Sequence, residues 1–487
     1  MNTAQLDLAY KDSRLLVCIA GLTTGLLVFL FPSFVLMASI AIAIGVVGLV
    51  ATAKNQVPSW QGLAALTLLG YVVLNYGMDN LAIRLGSLPI PVGQVVLFLA
   101  LALAVTADRP GVRLALREPV VKLWLLLFAM TCVHMLTDLS RHGGYALRDT
   151  SFIVEGAFLF LGYLWATHPA ARRMFHGTLL TMFVLNLIYA MTYPWREQLT
   201  LVSPTVGVFQ SVPLLGHYAN TSLFLLSGAV YCFLVSPFYF GRPRIRYLLI
   251  IMQIACLALT QERSMYLGAL FVLMLLFAFW KKSQAVKLTL VLAIGVSVVF
   301  GLIGIMPVEL EGRRGPVSLE FLERHVASLV GDSEGSYGTV LWRLDILEEA
   351  WERVTATTSR FLFGEGFGKP LTSKISYGWI AVRQPHNSHL SILMRLGLVG
   401  LAVWLALNLW LVVTYLKRIL SAPTQARRGL YLWFLIHYVL SMMITSVQPK
   451  LEFSHGAIPF FIITGFAIAT LRTDSDEPRP RASVSPR

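Results

Sequence analysis

His386 and Asn387 are the residues on which chemistry is most readily built. They stand where a long polar stretch, 306–385, gives way to an apolar run. An imidazole titrates near neutrality, so it can take or give a proton at ordinary pH. The neighbouring amide can orient that ring or bind a sugar hydroxyl. The plainer reading is a histidine at the membrane interface that caps the following helix, and residue physics alone favours it. Gly397 follows after nine further residues and Gly400 after two more, and such glycines permit close helix packing.

Four arginines can serve the same place. Arg263 lies in Thr260-Gln261-Glu262-Arg263-Ser264, a very short turn between two apolar runs. A guanidinium at that depth binds a lipid phosphate bidentately, or else snorkels to head groups with no catalytic role. Arg343 follows Trp342 within the polar stretch and either points at His386 or pairs with a loop carboxylate. Arg383 precedes the histidine by three residues, and Arg148 stands near the start of another apolar run. Both add positive charge to an anionic pocket, or remain solvated. Glu155 and Arg395 fall inside apolar runs, where charges are functional candidates. Their similar depth suggests that they pair.

The frame that must hold these residues is set by composition. The chain has 487 residues, of which 56% are hydrophobic and only 13% charged. An ordinary soluble domain carries about a quarter charged residues, so most of this surface must be solvated by lipid. The formal net charge of +14 does not indicate a nucleic-acid partner, because the basic residues sit in short clusters between apolar runs. Cys18, Cys132, Cys232 and Cys256 all lie inside apolar runs and read as packing residues, not as a disulfide or metal framework.

A helix needs roughly 20 apolar residues to cross a bilayer. Candidate spans are 15–31, 33–53, 60–77, 89–107, 120–138, 150–167, 175–194, 215–235, 246–260, 264–280, 285–305, 387–415, 429–448 and 456–471. No small-x-small cleavage site separates the first two, so the first is read as a retained span and not a signal peptide. The expectation is an all-α polytopic membrane protein with about 12–14 transmembrane helices. Alternate short loops carry the basic clusters, among them Arg109 to Arg117, His168 to Arg173, Arg242 to Arg246 and Lys417 to Arg428. That bias places both termini in the cytoplasm and the 306–385 loop on the opposite side. The loop holds eleven acidic and nine basic residues, a net −2, leaving +16 on the remainder. Four parts follow: helices over 1–305, a water-facing subdomain over 306–385, helices over 386–471, and a disordered cytoplasmic tail over 472–487. Within the loop, Leu344, Leu347, Trp351 and Val354 recur at helical spacing opposite Asp345, Glu348, Glu349 and Glu352. This predicts an amphipathic helix over 340–354 lying on or beside the bundle. A turn-rich stretch, Gly364-Glu365-Gly366-Phe367-Gly368, follows.

Residues 340–400 are similar to the signature region of the O-antigen ligase and polymerase superfamily. Arg343 to Trp351, Phe363 to Gly368, and His386-Asn387 followed by Gly397 and Gly400 carry the resemblance. The ligase pattern is His, then Asn, Ser or Gln, nine residues, Gly, two residues, and Gly, Thr or Tyr, and it is met in full. Arg263-Ser264 resembles the family's arginine near the start of a span before the large loop. Arg395 departs from relatives that often carry an acidic residue there.

The resemblance implies a GT-C-like glycosyltransferase in the bacterial inner membrane, with a periplasmic loop that contains helices. Its donor is a glycan on undecaprenyl diphosphate and its acceptor either lipid A-core, for a ligase, or a second lipid-linked repeat, for a polymerase. Transfer inverts the anomeric carbon. His386 carries over as base or acceptor-orienting residue, Arg263 and Arg343 as binders of the diphosphate, with Asn387, Arg383 and Arg148 as further substrate-binding candidates. No metal or cofactor is implied, and membrane lipids are the remaining partners. An O-linking protein glycosyltransferase belongs to the same class. A polysaccharide transporter or flippase would instead place several charges or broken helices near the bilayer midplane. A sensory or structural membrane protein gives no reason for the arginine and histidine arrangement.

Overall fold

The structure, a computed structural model, describes residues 59–85, 88–206, 212–217, 221–238, 243–305, 311–312, 315–316, 320, 334–373, 375–376, 380–381 and 383–476. The expected spans at 15–31 and 33–53, Cys18, most of 306–333 and the tail beyond 476 lie outside these residues. Each of the twelve remaining expected spans is occupied by a helix or a broken helix. Six are long and apolar enough to cross a membrane. The pair Val92–Ala107 and Arg109–Ala115, bent by 104°, makes a seventh if it is one span. The all-α polytopic expectation is borne out. Strands among the described residues form two-stranded antiparallel hairpins, such as Ala82–Leu85 with Leu88–Pro91 in the register Ala82 to Pro91.

Eleven helices position the site and are labelled α1 (Pro119–His142), α2 (Phe158–Ala166), α3 (Pro169–Met191), α4 (Thr221–Leu234), α5 (Pro243–Thr260), α6 (Arg263–Phe279), α7 (Glu334–Thr355), α8 (Thr358–Phe363), α9 (Ser388–Ser421), α10 (Gln425–Thr445) and α11 (Ser454–Asp476). The core centres on α11. Gly162 of α2 and Gly465 of α11 let the two helices touch through their backbones, since a Cβ at either would collide with a carbonyl of the other helix. Without a hydrophobic force between helices in lipid, such close packing is a main source of cohesion. Phe175 and Phe466 stack beside this contact, with ring centroids 3.8 Å apart. On α1 and α9, by contrast, Val133, Leu136, Leu405 and Leu409 are exposed, as suits side chains that lipid solvates.

α9 is two helices joined across a break. Gly397 has φ 66° and ψ −167°, which a residue with a Cβ rarely adopts. The chain after α8 crosses at this break. The Glu365 amide donates to the Met394 carbonyl over 2.8 Å, and the Gly366 amide to that of Arg395 over 3.1 Å. These bonds take up carbonyls that the interrupted helix leaves open. A Cβ on Gly397 would strike the Leu362–Phe363 backbone, and one on Gly364 would strike Arg395. The expected role of Gly397 in helix packing is therefore corrected: it turns the backbone and admits a crossing loop. Gly400 faces Leu396 of its own helix.

α7 is longer than expected, and its packed face differs. Ile346, Ala350 and Val354 are buried, the last two against Leu371 and Met394, whereas Leu344, Leu347 and Trp351 are exposed. The apolar arc of this helix is wide, and only its smaller side chains fit against the start of α9. Nor is its acidic side wholly given to water. The Glu349 carboxylate accepts from the Ser373 amide over 2.8 Å and from the Thr372 hydroxyl over 3.3 Å.

Gly397→Ala is expected to cost about 1–3 kcal/mol, the usual strain of a forced left-handed residue, seen as a lowered Tm in detergent. Gly62→Ala, whose Cβ would meet nothing within 4 Å, should leave Tm unchanged or slightly raised.

Candidate functional site

The site forms at the end of the bundle where α9 begins. Asn387 is the N-cap of α9: its Oδ1 accepts from the His389 and Leu390 amides over 3.0 and 3.1 Å. That frees His386 from capping. Its φ of 51° is left-handed, uncommon for a residue with a Cβ and frequent where function holds a side chain in place. The imidazole meets the Trp342 ring edge-on at 5.0 Å. Burial pushes its pKa below the usual histidine value, and the Arg343 charge pushes it the same way. At neutral pH the ring is uncharged and able to accept a proton.

Arg343 Nη2 donates to the Val447 carbonyl over 3.3 Å. The next residue, Gln448, donates its side-chain amide to Glu262. Glu262 also accepts from Ser222 of α4 and is the N-cap residue of α6, whose first residue is Arg263. The chain from Ser446 to Lys450 thus bridges the His386–Arg343 pair and the Arg263 turn. Gln261, one residue before Glu262, has a left-handed φ of 48°. Of the three such non-glycine residues among those described, two therefore flank this site.

The other arginines converge on a residue that the sequence did not single out. Asp149 Oδ2 accepts from Arg395 over 2.7 Å, from Arg383 over 3.3 Å and from the Gly368 amide over 3.1 Å. Arg148 approaches its Oδ1 at 3.4 Å, with half of its own side chain exposed. Arg395 also donates to the carbonyls of Gly366 and Lys369, and its guanidinium lies over the Phe367 ring. The expected pairing of Arg395 with Glu155 is corrected. Glu155 instead accepts from Gln94 over 2.6 Å and from Ser454. Arg383 donates to the Gly368 carbonyl over 2.9 Å and sits over Tyr145, so it fastens the loop. Asp138 of α1 holds the same loop through the Phe367 amide over 2.8 Å.

Two further charges were missed because they sit in a short connection. Lys450 is buried, lies over the Phe224 ring at 5.3 Å, and has no hydrogen-bond partner for its Nζ among the described residues. Burial brings its ammonium down to about 7, against the opposing pull of Glu262. Glu452 accepts from Ser391 of α9, and burial raises it to about 7 despite that bond and Arg395. Acidic residues at the ends of apolar runs, as Asp138 and Asp149 are, were the available signal for the loop's anchors.

The structure is thus a polytopic helical frame with a histidine and several arginines gathered at one end of the bundle. Residues 248–405 match the family model described as O-Antigen ligase, in line with the resemblance. The match spans α5 to the first half of α9, so it contains Arg263, Arg343, His386, Gly397 and Gly400. Arg148, Asp149 and the last two helices lie outside it. The match supports an O-antigen ligase-like domain over these residues. No curated protein sequence matches the chain.

Asp149→Asn should cost about 3–5 kcal/mol, because it leaves the Arg395 guanidinium buried with its main partner uncharged. Thermal unfolding of the purified protein reads this. Adding Arg395→Met should restore more than half of the loss, and a double variant no more stable than Asp149→Asn would contradict the pairing.

Proposed function

We propose that the chain is an inverting, metal-independent glycosyltransferase that moves a glycan from undecaprenyl diphosphate to an acceptor hydroxyl. The observation that carries this reading is the imidazole of His386. It is uncharged, set by a left-handed backbone against Trp342 and Arg343, at the head of α9 within the O-antigen ligase domain.

His386 takes the proton from the acceptor hydroxyl as its oxygen attacks the anomeric carbon from the face opposite the diphosphate. The bond from that carbon to the diphosphate oxygen breaks, and undecaprenyl diphosphate leaves with the electron pair. Arg343 and Arg263 neutralise the charge that builds there, the part a metal ion plays elsewhere. Asn387 uses its Oδ1 in the cap, which leaves its Nδ2 for a sugar hydroxyl. Arg383 and Arg148, both drawn to Asp149, line the approach to the loop.

The acceptor reading that the His-Asn-x9-Gly-x2-Gly pattern favours is lipid A-core, making the chain a ligase. A polymerase joining lipid-linked repeats is the second reading, and an O-linking protein glycosyltransferase a third. The basic short loops support an inner-membrane protein with cytoplasmic termini and a periplasmic 306–385 subdomain.

His386→Ala is expected to lower transfer by the 10²–10⁴-fold typical of a lost general base, with membrane insertion and Tm unchanged. Transfer at the wild-type rate would refute the assignment. Arg343→Gln should move the acid limb of the pH–rate profile upward, because the imidazole then keeps its proton to a higher pH. Arg263→Ala should raise the KM for the lipid diphosphate donor. Deleting the gene separates the acceptors: long polymer accumulates on undecaprenyl diphosphate if the chain is a ligase, single repeats if it is a polymerase.

A further inference from the structure

Between the short helix Arg196–Val202 and the 213–217 segment lies a cleft of 560 Å³, within the roughly 300–1,000 Å³ typical of small-molecule sites. The short helix Arg196–Val202 forms one wall with Arg196, Glu197, Thr200 and Leu201, and the 213–217 segment forms the other with Pro213 and His217. None of these residues is used in the transfer step above.

The cleft is joined to the site by named contacts. Arg196 Nη1 donates to the Gly312 carbonyl over 3.0 Å. Gly312 in turn lies so close to Gln261 that a Cβ there would collide with its amide. Gln261 precedes Glu262 and Arg263. The cleft is therefore connected, through Arg196, Gly312 and Gln261, to the turn that carries Arg263.

The chemistry of the walls selects the occupant. A guanidinium beside a carboxylate disfavours both simple anions and simple cations. The Thr200 hydroxyl donates to the Arg196 carbonyl over 2.7 Å and keeps its acceptor capacity, so the wall offers both donors and acceptors, as sugar hydroxyls require. His217 stacks on Tyr189 at 4.2 Å and packs against Tyr193 at 4.8 Å, its Nε2 bonded to the Thr192 hydroxyl over 2.8 Å. Its Nδ1 is buried with no hydrogen-bond partner among the described residues, and the residue lines the cleft. Leu201 is 84% exposed at the rim, and it and Pro213 suit the C–H face of a sugar ring.

We infer that this cleft is a glycan subsite that holds a neutral sugar unit of the donor or acceptor glycan at a distance from the transferred bond. The inference rests on the proposed glycosyltransferase reading and deepens it.

The test uses full-length protein in detergent and oligosaccharides of one to three repeats, hydrolysed from the host's own surface polysaccharide. Saturation-transfer difference NMR should show them bound to wild type and to His386→Ala. In Glu197→Ala and in Thr200→Val, affinity should fall, by roughly tenfold for the lost charged partner. Equal binding to Glu197→Ala and wild type, or no binding to wild type, overturns the subsite. So does displacement of the sugar by inorganic diphosphate, which would make the cleft an anion site. Kinetics then identify the source. A raised KM for long-glycan donors, with single-sugar donors unaffected, places the donor glycan there, and a raised KM for acceptor places the acceptor. An unchanged KM for both overturns the assignment to transfer. Because binding to His386→Ala needs no turnover, failure of the glycosyltransferase reading is seen separately, as absence of transfer by wild type.

Discussion

Asp149 gathers Arg395, Arg383 and the Gly368 amide onto one buried oxygen. Isolated, any of these charges would be expensive at this depth, and each is tolerable because the others are present. Their convergence lays the 364–369 loop across the break in α9, and only Gly397 permits that break. The loop in turn fixes α7: Arg353 grips Glu365 with two bonds of 3.0 and 2.9 Å and reaches the Pro370 carbonyl over 3.1 Å. α7 then carries Trp342 and Arg343 to His386. The geometry of the proposed reactive cluster is thus inherited from the ion network around Asp149.

The arginines divide by what surrounds them. Arg395 is 2% exposed and saturated with protein acceptors, so it has nothing left for a substrate. Arg343 is exposed, and its contacts include a bond of 3.3 Å to the Val447 carbonyl. Behind the site, Lys450 and Glu452 are two residues apart, and burial moves both toward neutrality. The sign of each is opposite. Below about 7 a protonated Glu452 favours the folded state, which loses that advantage as pH rises through 7. Lys450, with a lowered folded-state value, favours folding increasingly as pH rises from about 7 toward its unfolded value.

The spans were legible because lipid demands long apolar runs, and twelve expected positions are helical. The His386 motif was legible because its spacing is that of the first segment of α9, residues 388–396, which ends at the Gly397 break. Arg395 was misassigned because depth was counted along the sequence. The short helix Gly144–Asp149 bends the chain so that Asp149, and not Glu155, reaches it. The packed face of α7 was misjudged because large apolar residues outrank small ones in any periodicity. Contact with α9 needed the small ones. Asp149's place at the end of an apolar run was the one signal for it, and its partners, drawn from distant segments, could not be read from the sequence.

The central claim is that His386, Arg343 and the Arg263 turn surround one lipid diphosphate. Photo-crosslinking tests it most directly, with an undecaprenyl diphosphate analogue bearing a diazirine on the first sugar and purified protein in nanodiscs. Mass spectrometry should place the crosslinks on Trp342 to Arg343, Pro385 to Asn387, and Gln261 to Ser264, and excess unlabelled donor should abolish them. Crosslinks confined to other segments, or unaffected by competing donor, would contradict the account.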